Sequence, residues 1–300
     1  MAKGVEDTLE RAETRLGPHE VLVAGQIVVL KRKSTAALMF ALLSPCFAFQ
    51  LNASMLSPAL KGMETQLHAT TAQIGLTQTA FFASAAVFSL FLPRLADLRG
   101  RRRVLSLMLL ITGIGCVVSA MAPNVTWLFT GRIIQGVAGP VVVMCLILLR
   151  THVTDPRKYA LLLGIITSVN GGIAGVDAIA GGWLSENFGF ASIFWSMAVV
   201  AVFAALALQL MANESTVADP PPMDWIGTIL LVVTVGSLYL VFNELASLKR
   251  INWGLIGFLA VMAVTAFVAF WKTESRVTHP LMTIKYLRSR ATWVCCSRRC

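Results

Sequence analysis

The chain has 300 residues, of which 56% are hydrophobic and only 13% charged, and its formal net charge is +10. Soluble domains carry roughly 25% charged residues, so this composition excludes an ordinary water-facing surface. The excess of Lys and Arg raises nucleic acid as a partner, but no aromatic platform, recognition helix or zinc spacing accompanies it, and nucleic acid is set aside.

Residues 1–33 read as an arm outside the membrane. Glu6, Asp7, Glu10, Glu13 and Glu20 replace the basic-then-apolar order of a secretory signal. Residues 5–16 suit a short surface helix with Asp7 and Arg11 as an i,i+4 pair. Residues 20–30 are apolar but too short to span a bilayer. From there Asp, Glu, Lys and Arg are absent over residues 34–60, 65–93, 104–131, 187–213, 225–243 and 251–271. Each tract supplies the roughly 20 apolar residues that one membrane helix needs. Two more spans tolerate one ion each, residues 126–149 with Arg132 and 159–185 with Asp177. That makes eight spans. Backbone groups in lipid must bond within their own segment, so the fold class is an all-α membrane protein.

Basic residues alternate between loops. Lys31 to Lys33 precede span one; Arg94, Arg99 and Arg101 to Arg103 follow span two; Arg150, Arg157 and Lys158 follow span four; Lys272, Arg276, Lys285, Arg288 and Arg290 follow span eight. All fall on one side, which the positive-inside rule makes cytoplasmic, with both termini. The acidic loop after span six, "NESTVADPPPMD", is an exception that carries little weight in that rule, and Lys249 and Arg250 fall on the opposite side. The expected organisation is a cytoplasmic arm (1–33), a six-helix bundle (34–211), a proline-rich linker (212–224), an extra helix pair (225–271) and a cytoplasmic tail (272–300).

"PRLADLRGRRRV", residues 93–104, resembles the loop signature of the major facilitator superfamily, G-x-x-x-D-R/K-x-G-R/K-R/K. Asp97, Gly100, Arg101 and Arg102 match; Pro93 replaces the first glycine and Leu98 the basic residue after the aspartate. The resemblance implies a gating loop that locks and releases two helical halves. "LFTGRIIQGVAGP", residues 128–140, is similar to the family's fourth-helix pattern, and there it implies a role for Arg132 in proton coupling. Arg132, Gln135, Gly136 and Gly139 share one helical face. An arginine at the centre of the hydrocarbon costs roughly 2.5–3.5 kcal/mol on insertion scales, so it should meet a wet cavity or a partner.

Residues 163–183 are similar to the glycine-rich fifth helix of the family's antiporters. Gly164, Gly171, Gly175 and Gly182 share one face, a candidate seam for helix packing. Asn170 and Asp177 lie a heptad apart on nearly the opposite face, and Asp177 is a second candidate for proton coupling. "LNASMLSPALK", residues 51–61, is similar to the first-helix pattern of fourteen-helix drug:proton antiporters, with Asn52 in place of the aspartate. Gln50, Ser54, Gln135 and Asn170 are candidates for a substrate cavity, with interhelical hydrogen bonding the other reading for span one.

The resemblance implies proton-coupled export of small organic solutes or drugs by alternating access, in a bacterial cell membrane, with lipid, a small-molecule substrate and protons as partners. It extends over residues 34–287, after which "ATWVCCSRRC" reads as an abrupt stop before a second half, leaving a truncated, inactive fragment as the alternative expectation. No histidine cluster, nucleophile elbow or metal-ligand spacing is present, so no enzyme, cofactor or metal is expected. His152 and Asp155 read as a loop pair.

Overall fold

The computed structural model describes residues 20–23, 26–29, 35–153, 155–214, 224–246 and 252–275. The expected surface helix at residues 5–16, most of the linker, Lys249, Arg250 and the cysteine-rich end lie outside them. Glu20–Val23 (β1) and Gln26–Val29 (β2) form a small antiparallel hairpin in which Glu20 pairs with Val29.

Among the described residues eight helices then follow, each long and apolar enough to cross a membrane. They are α1 (Thr35–Gln66), α2 (Thr71–Arg99), α3 (Arg101–Ala120), α4 (Val125–His152), α5 (Pro156–Phe188), α6 (Phe190–Met211), α7 (Trp225–Ala246) and α8 (Trp253–Glu274). The fold is the all-α membrane bundle expected from the sequence, and the protein is a multi-pass integral membrane protein.

Short polar residues start these helices. Thr70 and Gln73 form a capping box on α2, and the side chains of Asn124, Asp155 and Asn252 each accept a backbone N–H in the first turn of α4, α5 and α8. Single glycines join two helix pairs: Gly100 (φ +100°) links α2 to α3, and Gly189 (φ +78°) links α5 to α6. Such positive φ values strain any side chain with a Cβ.

Two helices are interrupted. In α1 the α-helical segment ends at Ser54 and a 3-10 turn, Ser57–Ala59, precedes Leu60–Gln66. Pro58 lies in that turn and has no N–H to continue the ladder. In α4 a 3-10 turn, Gly136–Ala138, separates Val125–Gln135 from Val141–His152. A Cβ on Gly136 would collide with Ser84 Oγ, and one on Gly139 with the Ala85 backbone. Those two glycines therefore let α4 lie backbone to backbone on α2.

Helix α3 packs on α6 and α4, α1 on α6, α5 and α4, and α7 on α8 and α2. Tyr239 of α7 donates its hydroxyl to Thr79 O of α2 at 3.2 Å. Leu107, Ile114, Val199, Leu210 and Val261 are exposed, as residues facing acyl chains are. Exposed Trp127, Trp183, Trp225, Trp253 and Trp271 lie near helix ends, where indole rings anchor at the headgroup level.

The basic junctions gather at one end of the bundle. Lys158 Nζ, before α5 has completed its first turn, donates to Thr35 Oγ1 at the start of α1 (3.2 Å), and Arg102 at the start of α3 reaches the last residues of α6. At the other end Gly62 of α1 meets Ser185 of α5, and Gly189 meets Gln66.

Candidate functional site

Arg132 is fully buried on α4. It does not snorkel towards a helix end. Nη1 donates to Gln135 Oε1 (2.7 Å) and Asn52 O (3.2 Å), and Nη2 donates to Gln78 Oε1 (2.6 Å) and Asn52 O (3.3 Å). Its guanidinium carbon lies 4.3 Å from the centre of the Phe81 ring. No carboxylate is within ion-pair distance of it among the described residues. The interruption of α1 explains how the charge is held. Asn52 and Ala53 lie in the last turn before the break, where carbonyls lose their partners and the helix end is negative. Arg132 takes the Asn52 carbonyl, and Gln78 Nε2 takes that of Ala53 at 3.0 Å.

Gln135 is equally buried and fully engaged. Its Nε2 donates to Gly115 O (3.0 Å) and Ser119 Oγ (2.8 Å) on α3 while its Oε1 accepts from Arg132. A place in an open substrate cavity does not fit this: Gln135 pins α4 to α3. Asn52 is also buried. It donates to Ala48 O and accepts from Cys116 Sγ of α3 (3.5 Å), the interhelical use expected of it.

The second polar group joins α1 to α5. Asp177 is 3% exposed, and its Oδ2 is hydrogen-bonded to Ser54 Oγ, which also receives Gln50 Nε2 at 3.1 Å. Helix α5 continues to Phe188, eleven residues past Asp177. The carboxylate thus sits about 16 Å from the helix end. Gly181, one turn further on, allows this approach, since a Cβ there would strike Met55 O. Asn170 is half-buried, and its Oδ1 accepts no hydrogen bond among the described residues. Gln50, Ser54 and Asp177 are therefore brought together, Asn170 stands apart, and no ion pair joins Asp177 to Arg132.

Of the expected seam, only Gly182 faces another described helix. Nothing lies within 4 Å of a Cβ built on Gly164, Gly171 or Gly175, and Gly182 meets only Pro58 Cβ at 3.6 Å. Helix α5 is held on α1 through Asp177 and Gly181 instead, which turns the glycine face outward.

The gating-loop residues form a junction, not a loop. Asp97 and Arg99 end α2, Gly100 alone makes the turn, and Arg101, Arg102 and Arg103 form the first turn of α3. Arg101 Nε pairs with Asp97 Oδ1 at 2.8 Å. Three cations at a positive helix N-terminus are unfavourable, and Glu214 from beyond α6 offsets them. Its Oε1 accepts the Arg102 backbone N–H (2.9 Å), and its Oε2 lies 3.5 Å from Arg102 Nε and 3.6 Å from Arg103 Nε. Arg102 Nη1 also donates to Gln209 O and Ala212 O. His152 bonds Leu148 O and approaches Thr151, and Asp155 caps α5, so the expected pair between them is not formed.

Glu214 and Gln78 are participants that sequence patterns did not single out. Gln78 carried a signal, as an amide inside a tract that must cross hydrocarbon. Glu214 carried a weaker one, as the acid nearest span six in a loop on the basic side.

Eight spans among the described residues, packed around buried polar contacts and with basic junctions at one end, define a multi-pass membrane bundle. The profile of the Major Facilitator Superfamily matches residues 42–284, and the chain belongs to that superfamily. It is 54% identical over 264 residues to the uridine/deoxyuridine transporter of Lactococcus lactis, a match that covers 87% of this chain and 55% of that protein. It is 29% identical over 235 residues to the puromycin resistance protein pur8 of Streptomyces alboniger, covering 77% of this chain and 46% of the relative. The crystal structure of the POT family transporter PepTSo superposes with a TM-score of 0.51 at 16% identity, covering 84% of this chain and 56% of that one, a likeness of fold. The chain spans about half the length of the curated relatives it matches.

Proposed function

We propose that the chain serves transport of a small polar solute of the pyrimidine-nucleoside class by alternating access, coupled to protons through Asp177 and Arg132. The observation that carries the solute class is the 54% identity to a uridine/deoxyuridine transporter, extending over most of this chain. Coupling such a cycle to protons needs a group that gains and loses a proton within the bilayer, and intramembrane ionisable residues mark such functions. Asp177, beside Ser54 and Gln50 at the α1–α5 contact, has that position. The basic junctions gathered at one end support a cytoplasmic placement for that end and both termini, in a bacterial cell membrane.

Export of an amphipathic drug is the second reading, favoured by the match to a puromycin resistance protein and by the antiporter-like pattern at residues 51–61. Uptake of labelled uridine decides between them. The chain is expressed in a host without nucleoside uptake, alone and together with the C-terminal portion of the Lactococcus transporter. Saturable uridine uptake in either arm, abolished by collapsing the proton gradient, is the expected result. Puromycin tolerance with no uridine uptake in either arm would replace the nucleoside reading with the export one.

A further inference from the structure

Three hydrogen-bond partners surround the single hydroxyl of Ser54. Gln50 Nε2 lies at 3.1 Å, Gln50 O at 2.9 Å, and Asp177 Oδ2 is in contact. A serine hydroxyl offers one hydrogen and two lone pairs. Gln50 Nε2 can only donate, so it takes one lone pair. Gln50 O can only accept, so it takes the hydrogen. The contact with Asp177 is then satisfied only if the carboxyl brings its own proton and donates it to the second lone pair. With Asp177 ionised, the one hydrogen must choose between Asp177 Oδ2 and Gln50 O.

We propose that Ser54 is a positioning residue that reads the proton on Asp177 and transmits it to the last turn of the first α-helical segment of α1. This rests on the reading of Asp177 as a proton carrier. In the protonated state the Asp177 O–H donates to Ser54 Oγ, and the Ser54 O–H donates to Gln50 O. On release the proton passes from Asp177 Oδ2 to solvent water, the Ser54 hydroxyl rotates to the carboxylate, and Gln50 O loses that donor. The affected turn is the one whose next carbonyls, of Asn52 and Ala53, bind Arg132 and Gln78. A proton event on α5 therefore reaches the buried arginine of α4 through one rotating hydroxyl on α1, with no ion pair between the two charged residues.

The surroundings leave little else to compensate Asp177. From α1 it faces Ser54 and neutral Gln50; the 57–59 turn and α6 carry no ionisable side chain. The 60–66 segment carries Lys61 and Glu64 but meets α5 two turns further on, through Gly62 and Ser185. On the Val141–His152 part of α4, which packs on α5, Cys145 is buried in the apolar core, while Arg150 and His152 belong to the last turn, with Arg150 over the Tyr159 ring; Arg132 lies on the other part. On α5 itself the ionisable groups are Arg157, Lys158, Tyr159 and Glu186, near its two ends. No cation lies within ion-pair distance of Asp177 among the described residues.

Infrared difference spectra of the full chain in lipid nanodiscs, recorded between acid and alkaline pH, test this without requiring turnover. A carboxylic-acid C=O band that is absent in Asp177→Asn is expected. In Ser54→Ala that band moves to higher wavenumber, because its O–H has lost its acceptor. Ser54→Thr keeps a hydroxyl and restores the position of the band. Should Ser54→Ala fail to insert, Gln50→Leu, which empties one lone pair of Ser54, is expected to move the same band. A band unmoved by these changes overturns the role of Ser54 and leaves Asp177 as carrier. No band sensitive to Asp177→Asn at any pH overturns the reading beneath it.

Discussion

Glu214 accepts the backbone N–H of Arg102 at 2.9 Å, and so an acid from beyond α6 caps the helix that begins with three arginines. A Cβ on Gly100 would lie 2.9 Å from the same Glu214 oxygen, and φ at that glycine is +100°. Cap, turn and ion pairs therefore depend on one another. Glu214→Ala is expected to destabilise the bundle by about 1 kcal/mol, the usual worth of an N-cap. Gly100→Ala adds backbone strain of about 1–2 kcal/mol. Thermal unfolding in detergent measures both. The double variant should fall short of the sum of the single effects, since the two residues are in contact.

The buried arginine gives a second prediction. Gln78→Leu leaves an Arg132 N–H and the Ala53 carbonyl without their partner, away from water. The expected loss is about 1–3 kcal/mol for each orphaned group. Arg132→Met removes the charge as well, and Gln78→Leu should then cost less than it does alone. Equilibrium unfolding in mixed micelles reads the cycle. Additive losses would mean that Gln78 acts apart from the arginine.

The number of spans was legible because hydrocarbon demands long apolar tracts and ions interrupt them. Contacts across the bundle were not. A pattern places Arg132 and Gln135 on one face of α4, but only the break in α1 at Pro58 reveals that a helix end receives that face. The spacing of Gly164, Gly171 and Gly175 describes a seam, and spacing is blind to whether another helix covers it. The arginine cluster was legible as a charge. Its placement in a helical first turn was not, because the acid that permits this comes from 112 residues away.

The sidedness of the charges predicts topology. With the six native cysteines replaced, a cysteine at Asp155, in the exposed turn between α4 and α5, should react with an impermeant maleimide only after the membrane is opened. A cysteine at Asn187, exposed near the far end of α5, should react in intact cells. The reverse pattern would place the basic end outside.

The glycine face of α5 yields a prediction whose sign is informative. Gly171 and Gly175 have nothing within 4 Å of a built Cβ, so alanine fits at both without displacing any described neighbour. Glycine in a helix interior is less favourable than alanine by about 0.8–1.0 kcal/mol. Gly171→Ala and Gly175→Ala should each stabilise the isolated chain by up to that amount, less where lipid already restrains the backbone. Gly181→Ala should do the opposite, because its Cβ would meet Met55 O and push α5 from α1. The expected loss is about 1–3 kcal/mol, as for overpacking elsewhere. Thermal unfolding of the three variants in one detergent compares them directly. Destabilisation by Gly171→Ala in the isolated chain would show that the seam is packed against part of the same molecule. Stabilisation there, joined to loss of uridine uptake in the two-part expression described above, would identify the seam as the surface that α5 presents to a separate helix during transport.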